Sequence, residues 1–242
     1  MRALILAAGR GSRMRELTQS HPKALVELNG RSLIQRQLDA LRQGGATEIG
    51  IVTGYRASCF EGMADRSFFN SKWENTGIVA SLRCAAPWLE AGPVLVSYSD
   101  IFYSASTVMA LRNATGSLVV CYDPDWLKLW SMRFSDPRSD AETFELNDDG
   151  HVVDIGRSLK GRELPRGQYM GLFRIEPSGW RQLISALDAL PECNRIVVDM
   201  TTLLREAINR GATVHPVENH GPWGEIDCPE DIKVFERLYP EL

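Results

Sequence analysis

Residues 6–15 read LAAGRGSRMR, two glycines and three arginines set at the end of the apolar run Ala3 to Ala8. Gly9 and Gly11 permit backbone angles and close approaches that a β-carbon forbids, while Arg10, Arg13 and Arg15 bring cationic forks to the same place. That combination suits a polyphosphate. Pro22 and Lys23 follow in HPKALVEL. Proline fixes the local backbone there, and ALVEL anchors the segment by apolar packing, so Lys23 projects from a rigid position. A glycine turn alone has an ordinary structural explanation, and a Pro-Lys pair alone is usually a solvated loop. Together they are much more specific. Neither common phosphate fingerprint applies: position 14 is methionine, which breaks G-x-G-x-x-G, and no Gly-Lys-Ser/Thr follows.

The elements that must position these groups alternate along the chain. Ala3–Ala8 reads as a strand buried on both faces, because it shows no polar alternation. A helix is expected over Ser32–Gln43, a strand over Glu48–Thr53, and helices over Arg56–Ala64 and Thr76–Ala86. The strands PVLVSYSD and SLVVCYD come next. From Pro124 to Gly167 the rhythm breaks: TFELNDDGHVVDIG reads as two strands about the turn DDG, an antiparallel excursion placed to cover a site at the sheet edge. YMGLFRI returns to a strand. Helices near Ser178–Leu187 and Asp199–Asn209, the strand ATVHPVE, and a helix opened by Pro229 with Ile232, Phe235 and Leu238 on one face complete the pattern. Such alternation implies an α/β fold of three α/β/α layers about a mostly parallel sheet, in one domain spanning residues 1–242.

The 242 residues are 44% hydrophobic, enough for a substantial core. A net charge of −4 argues against general affinity for nucleic acid or an anionic membrane surface. Residues 1–23 nevertheless hold Arg2, Arg10, Arg13, Arg15 and Lys23 against Glu16 alone, a locally positive mouth on an acidic body. Cysteines 59, 84, 121, 193 and 228 are dispersed without a C-x-x-C pair, so neither a zinc site nor a disulfide framework is indicated. With no membrane-length apolar stretch and no signal-peptide pattern, a cytoplasmic location is expected.

LAAGRGSRM followed by HPKALVEL resembles the signature of the nucleotidyltransferases that join a nucleoside triphosphate to a phosphorylated small molecule and release pyrophosphate. The resemblance implies a Rossmann-like sheet in which the glycine loop wraps the triphosphate. It assigns nucleotide binding to Leu6, Ala8, Gly9, Gly11, Ser12, Arg13 and Lys23, with Lys23 and Arg13 as the catalytic cations. Two polyanions must approach one another, which calls for a divalent metal, Mg²⁺ or a similar ion, on hard oxygen ligands at the carboxyl ends of strands. The resemblance places those ligands at Asp100, which ends VLVSYSD, and at Asp227 in WGEIDCPED. Helix capping is the ordinary alternative for both aspartates.

The segment WENTGIVASLRCA is similar to the Asn-x-x-x-Ser-Leu stretch of the phosphocholine cytidylyltransferases and related CTP enzymes. Asn75, Thr76 and Ser81 offer donors and acceptors for a pyrimidine edge, although a helix capped at Thr76 would use some of the same groups. CTP is the expected nucleotide, and a small phosphorylated acceptor is the expected partner. For that acceptor two chemistries stay open. Trp126, Trp130, Tyr169 and Trp223 would enclose a quaternary ammonium by their ring faces, or serve simply as core. Asp136, Asp140, Glu142 and Glu225 would instead meet a primary amine, with Arg133 and Arg157 on its phosphate or carboxylate. Phosphocholine, 2-aminoethylphosphonate and phosphorylated capsule precursors fit one or the other. A sugar-1-phosphate transferase using UTP, GTP or dTTP is the rival enzyme, and a nucleotide-sensing domain without catalysis is the rival of another class. A homodimer is compatible with either.

Overall fold

The strand Arg2–Ala7 lies inside a nine-stranded sheet and shows why its sequence has no polar alternation. Ala3, Ile5 and Ala7 enter one apolar cluster while Leu4, Leu6 and Ala8 enter another on the opposite face. Both faces are covered by helices, as a continuous apolar run requires. The computed structural model describes residues 1–242. Across the sheet the strands run in the order Arg66–Phe69, Glu48–Thr53, Arg2–Ala7, Val94–Tyr98, Gln168–Ile175, Leu118–Asp123, Val214–Glu218, Val152–Ser158 and Glu142–Leu146. Gln168–Ile175 and Val152–Ser158 oppose the other seven, so the sheet is mixed but mostly parallel.

Local chemistry explains where the elements depart from expectation. No helix spans Arg56–Ala64: only a short 3₁₀ turn, Ala57–Phe60, forms before the edge strand Arg66–Phe69. Arg56 at φ 45° and Gly62 at φ 74° bracket that turn with left-handed backbone, which an α-helix cannot contain. The helix expected over Thr76–Ala86 becomes two, Ile78–Arg83 and Ala86–Ala91, because Pro87 lies in the first turn of the second and cannot continue the first. The hairpin of Glu142–Leu146 and Val152–Ser158 turns through Gly150 at φ 78° and extends the main sheet through Val152 against Val214. It therefore does not fold over the sheet. A helix absent from the sequence reading, Trp126–Arg133, covers that side and packs against Pro229–Leu238.

One small pairing decides where the chemistry goes. Ile101–Tyr103 and Trp223–Glu225 form a separate antiparallel ribbon in which Glu225 pairs with Ile101. The Ile226 N–H then donates to the Asp100 carbonyl at 2.9 Å. Two carboxylates more than a hundred residues apart are thereby fixed side by side at the carboxyl end of the Val94–Tyr98 strand.

Candidate active site

Gly11, at φ 73°, caps the 3₁₀ segment Ser12–Thr18 and lies against Lys23. A β-carbon at position 11 would stand 2.6 Å from Lys23 Cβ, so only glycine lets the loop and the lysine share this space. Lys23 is 6% exposed and is no loop cation. Its ammonium donates to Asp100 Oδ2 at 2.8 Å and to Asp227 Oδ1 at 2.9 Å. Burial alone would lower the Lys23 pKa, but Asp100, Asp227 and Glu225 overcome it and raise it well above the ordinary lysine value. Arg13, with a side chain 67% exposed, reaches Asp227 Oδ1 at 2.8 Å from the solvent side.

Neither aspartate is a helix cap. Ser104 caps Ala105–Asn113 through its hydroxyl, well past Asp100. Cys228 is the N-cap of Pro229–Leu238, and Asp231 accepts from the Asp227 and Cys228 N–H groups at 2.7 and 3.0 Å. Asp227 is left free to face the site. Arg133 completes this arrangement. Its side chain is 0% exposed, donating from Nε to Asp231 at 2.9 Å and from Nη2 to Asp231 at 3.2 Å and Asp227 Oδ2 at 3.3 Å. Arg133 lines neither of the two cavities at the carboxylates, and its Nη1 is buried without a hydrogen-bond partner. Arg133 acts as a brace behind Asp227.

Asp100, Asp227 and Glu225 each offer an oxygen within 4.8 Å of the others. Asp100 Oδ1 is buried without a hydrogen-bond partner. Burial, then Asp227 and Asp100, push Glu225 up to about 8. An orphaned carboxylate oxygen and a half-buried carboxyl crowded by two others fit a hard divalent cation, which these three residues would hold. Glu225 thus joins the metal group rather than serving the acceptor alone.

Two cavities meet at these carboxylates. The first, about 310 Å³, is lined by Leu6, Ala8, Gly9, Gly11, Ser12, Arg13 and Lys23, by Trp73, Thr76, Ile78 and Ser81, and by Asp100. Asn75 is exposed and does not line it. Gly77 rather than Thr76 is the N-cap of Ile78–Arg83. The amide that serves this cavity is Asn70, missed in the sequence, where its only signal is the Asx turn it makes with Lys72 N at 3.0 Å.

The second cavity, about 380 Å³, shares Arg13 and Tyr98 with the first and adds Trp130, Asp140, Glu142, Gln168, Tyr169, Asp199, Thr201, Glu225 and Asp227. Arg13 is the one cation among its lining residues. Burial, then Asp199 and Asp140, hold the Glu142 carboxyl above its ordinary value. The tryptophans form no open enclosure. Trp126, Trp130 and Trp223 are buried and pack in series, edge-to-face at 6.1 Å and tilted at 6.0 Å, and Trp130 already carries Arg133 over its face at 5.1 Å. Trp223 donates to Asp123 and Trp126 to the Pro165 carbonyl, so both are core. Trp130 presents only its edge to the cavity, its N–H donating to Asp140 at 3.2 Å. Asp136 caps a surface turn and Arg157 pairs with Asp154, both outside the cavity. Asp199 and Thr201, missed in the sequence, arrive from the start of Met200–Asn209.

The brace has a consequence in acid. Burial opposes ionisation of Asp227 and Asp231, yet Lys23, Arg13 and Arg133 hold Asp227 below the ordinary aspartate value, and Arg133 with the backbone N–H groups does so for Asp231. Carboxyls lowered on folding contribute stability in full above the unfolded value of about 3.9 and lose it as pH falls through their folded values. Asp231→Asn should flatten the decline in unfolding free energy below pH 4, measured by urea melts from pH 3 to 7. An unchanged slope would remove Asp231 from the brace.

The fold and the site define a transferase class. Residues 3–162 match the MobA-like NTP transferase domain, and the chain belongs to that family. It is 32% identical to CTP:phosphoglutamine cytidylyltransferase of Campylobacter jejuni, over 97% of this chain and 98% of that one. It is 29% identical to 2-aminoethylphosphonate cytidylyltransferase of Lancefieldella rimae, over 99% and 94%. The structure of CTP:phosphocholine cytidylyltransferase from Streptococcus pneumoniae superposes with a TM-score of 0.75 at 22% identity, covering 98% of each chain, and shares the fold. No helix is long and apolar enough to cross a membrane.

Proposed function

We propose that this chain is a divalent-metal-dependent cytidylyltransferase that transfers CMP from CTP to a phosphorylated or phosphonate acceptor carrying a primary ammonium group. The observation that carries the reading is the junction of two chemically different cavities at Asp100, Glu225 and Asp227, one basic and glycine-walled, the other acidic. Residues 1–242 act as one transferase domain, with residues 124–167 contributing the acceptor side. The names of the two full-length relatives support CTP as donor and an amine-bearing acceptor.

The acceptor oxygen is already anionic near neutral pH, so its attack on the α-phosphorus needs no general base and no covalent enzyme intermediate. A P–O bond forms to the acceptor as the bond to pyrophosphate breaks. Asp100, Asp227 and Glu225 would hold a divalent cation, which would supply positive charge to offset that of the reacting phosphates. The glycine loop supplies backbone N–H groups and close approach to the triphosphate. Lys23 and Arg13 stabilise the negative charge that builds between donor and acceptor. Asp140, Glu142 and Asp199 hold the ammonium and so orient the acceptor.

Pyrophosphate release should be measured with CTP, UTP, GTP and dTTP against 2-aminoethylphosphonate, phosphoethanolamine, a phosphorylated amino-acid amide, phosphocholine and sugar 1-phosphates. Primary amines with CTP should lead, and Glu142→Gln should raise the acceptor KM about tenfold while leaving the KM for CTP near wild type. Preference for phosphocholine would return the acceptor site to the aromatic rings. Turnover of a sugar 1-phosphate alone would install the rival transferase, and tight nucleotide binding without turnover a sensing domain.

A further inference from the structure

Asn70 is 6% exposed and its backbone is fixed at the end of the edge strand, its N–H donating to the Thr53 carbonyl at 2.9 Å. Its side chain has a determined orientation. The Lys72 backbone N–H can only donate, and it does so to Asn70 Oδ1 at 3.0 Å. The amide nitrogen therefore faces the other way, donating to Thr76 Oγ1 at 3.0 Å and Ser81 Oγ at 3.1 Å. Both hydroxyls are thus acceptors toward Asn70 and must send their own protons elsewhere. Thr76 sends its proton to the Lys72 carbonyl at 2.9 Å. The Ser81 proton is taken by no protein acceptor among the hydrogen bonds of the structure, and Ser81 lines the cavity.

The charge in the cavity is uneven: Arg13, Lys23 and Asp100 carry charge where the glycine loop and Lys23 line it, while the lining residues Trp73, Thr76, Ile78 and Ser81 carry none. Phosphates belong beside the first group and a base beside the second. Cytosine and uracil share the O2 acceptor and differ at C4, an amino group against a carbonyl, and at N3, a lone pair in cytosine and an N–H in uracil. A hydroxyl whose one unclaimed proton is aimed at N3 matches the lone pair and opposes the N–H.

We infer that Asn70 is the positioning residue for pyrimidine choice: by donating to Ser81 it occupies one lone pair of that hydroxyl and directs the unclaimed proton toward N3, which favours cytosine over uracil. The inference rests on the CTP reading above. It assigns the selection to an amide that need not touch the nucleotide.

Reversing the polarity of residue 70 tests it. In Asn70→Asp the carboxylate accepts the Ser81 proton, leaving a lone pair toward the base that suits the uracil N–H. Calorimetry with CTP and UTP, and kcat/KM for each with one acceptor, should show at least about a tenfold fall in the CTP:UTP ratio, with kcat on CTP changing less than its KM. Ser81→Ala should also lower the ratio, by loss of CTP affinity alone. Equal weakening of both nucleotides by either variant would overturn the inference, because a merely structural role or a contact to O2 predicts that result. If Asn70→Asp fails to fold by circular dichroism, the ratio in Ser81→Ala decides. A wild-type protein that uses CTP and UTP equally overturns this inference and leaves the transferase standing, whereas one that takes only purine triphosphates overturns the cytidylyltransferase reading itself.

Discussion

Lys23→Ala is expected to lower kcat by about 10²–10³-fold and to destabilise the fold by about 3–5 kcal/mol. The kinetic loss follows from removing a preorganised cation from the place where charge accumulates. The loss of stability follows from its burial. A lysine on a loop surface would change stability by less than about 0.5 kcal/mol when truncated. Lys23 instead bridges Asp100 and Asp227, and its removal leaves two carboxylates crowded with Glu225 and deprived of their buried counter-ion. Urea melts and pyrophosphate release on one preparation separate the two effects. Added Mg²⁺ should restore part of the stability, since a divalent cation relieves the same repulsion, but little of the turnover. A variant with wild-type stability would contradict the bridging role, and one with wild-type kcat would take Lys23 out of the chemistry.

Asp227→Asn should abolish Mg²⁺-dependent turnover at a smaller cost in stability, about 1–3 kcal/mol. Asparagine keeps the shape and one acceptor oxygen but not the charge. Lys23 retains Asp100 and Arg133 retains Asp231, so no buried cation is stranded. Partners behind a metal ligand already matter by about 10–100-fold in affinity or activity, and the ligand itself should exceed that. Mn²⁺ titration followed by electron paramagnetic resonance gives an activity-independent reading: metal affinity should fall at least tenfold, whereas Asp231→Asn should weaken it less. Full activity in Asp227→Asn would return the aspartate to a structural role.

Several features were legible in the chain because they are written in contiguous residues. The apolar run into a glycine-rich, arginine-rich turn, and the proline before Lys23, stand out through local backbone chemistry and bring that loop against Lys23. The strand Glu48–Thr53 and the hairpin about DDG follow from periodicity and turn residues. Failures came where an element depends on what it packs against. The tryptophans looked like a cation enclosure by composition, yet the three indoles are buried against one another, edge-to-face or tilted, and Trp130 already carries Arg133 over its face.

By itself the sequence determined the α/β alternation and the glycine loop with its lysine, since each depends on residue types within a few positions of one another, while Asp100 and Asp227 were singled out through the family resemblance. Tertiary structure alone decided that Lys23 is buried between those aspartates, that Arg133 braces Asp227 through Asp231, and that Asn70 rather than Asn75 donates to the hydroxyls of Thr76 and Ser81. The physical reason is the reach of a hydrogen bond, about 3 Å. Which groups come that close across 77, 98 or 204 residues is set by strand order, by the ribbon that seats Glu225 beside Ile101, and by the helix that lays Arg133 against the first turn of Pro229–Leu238.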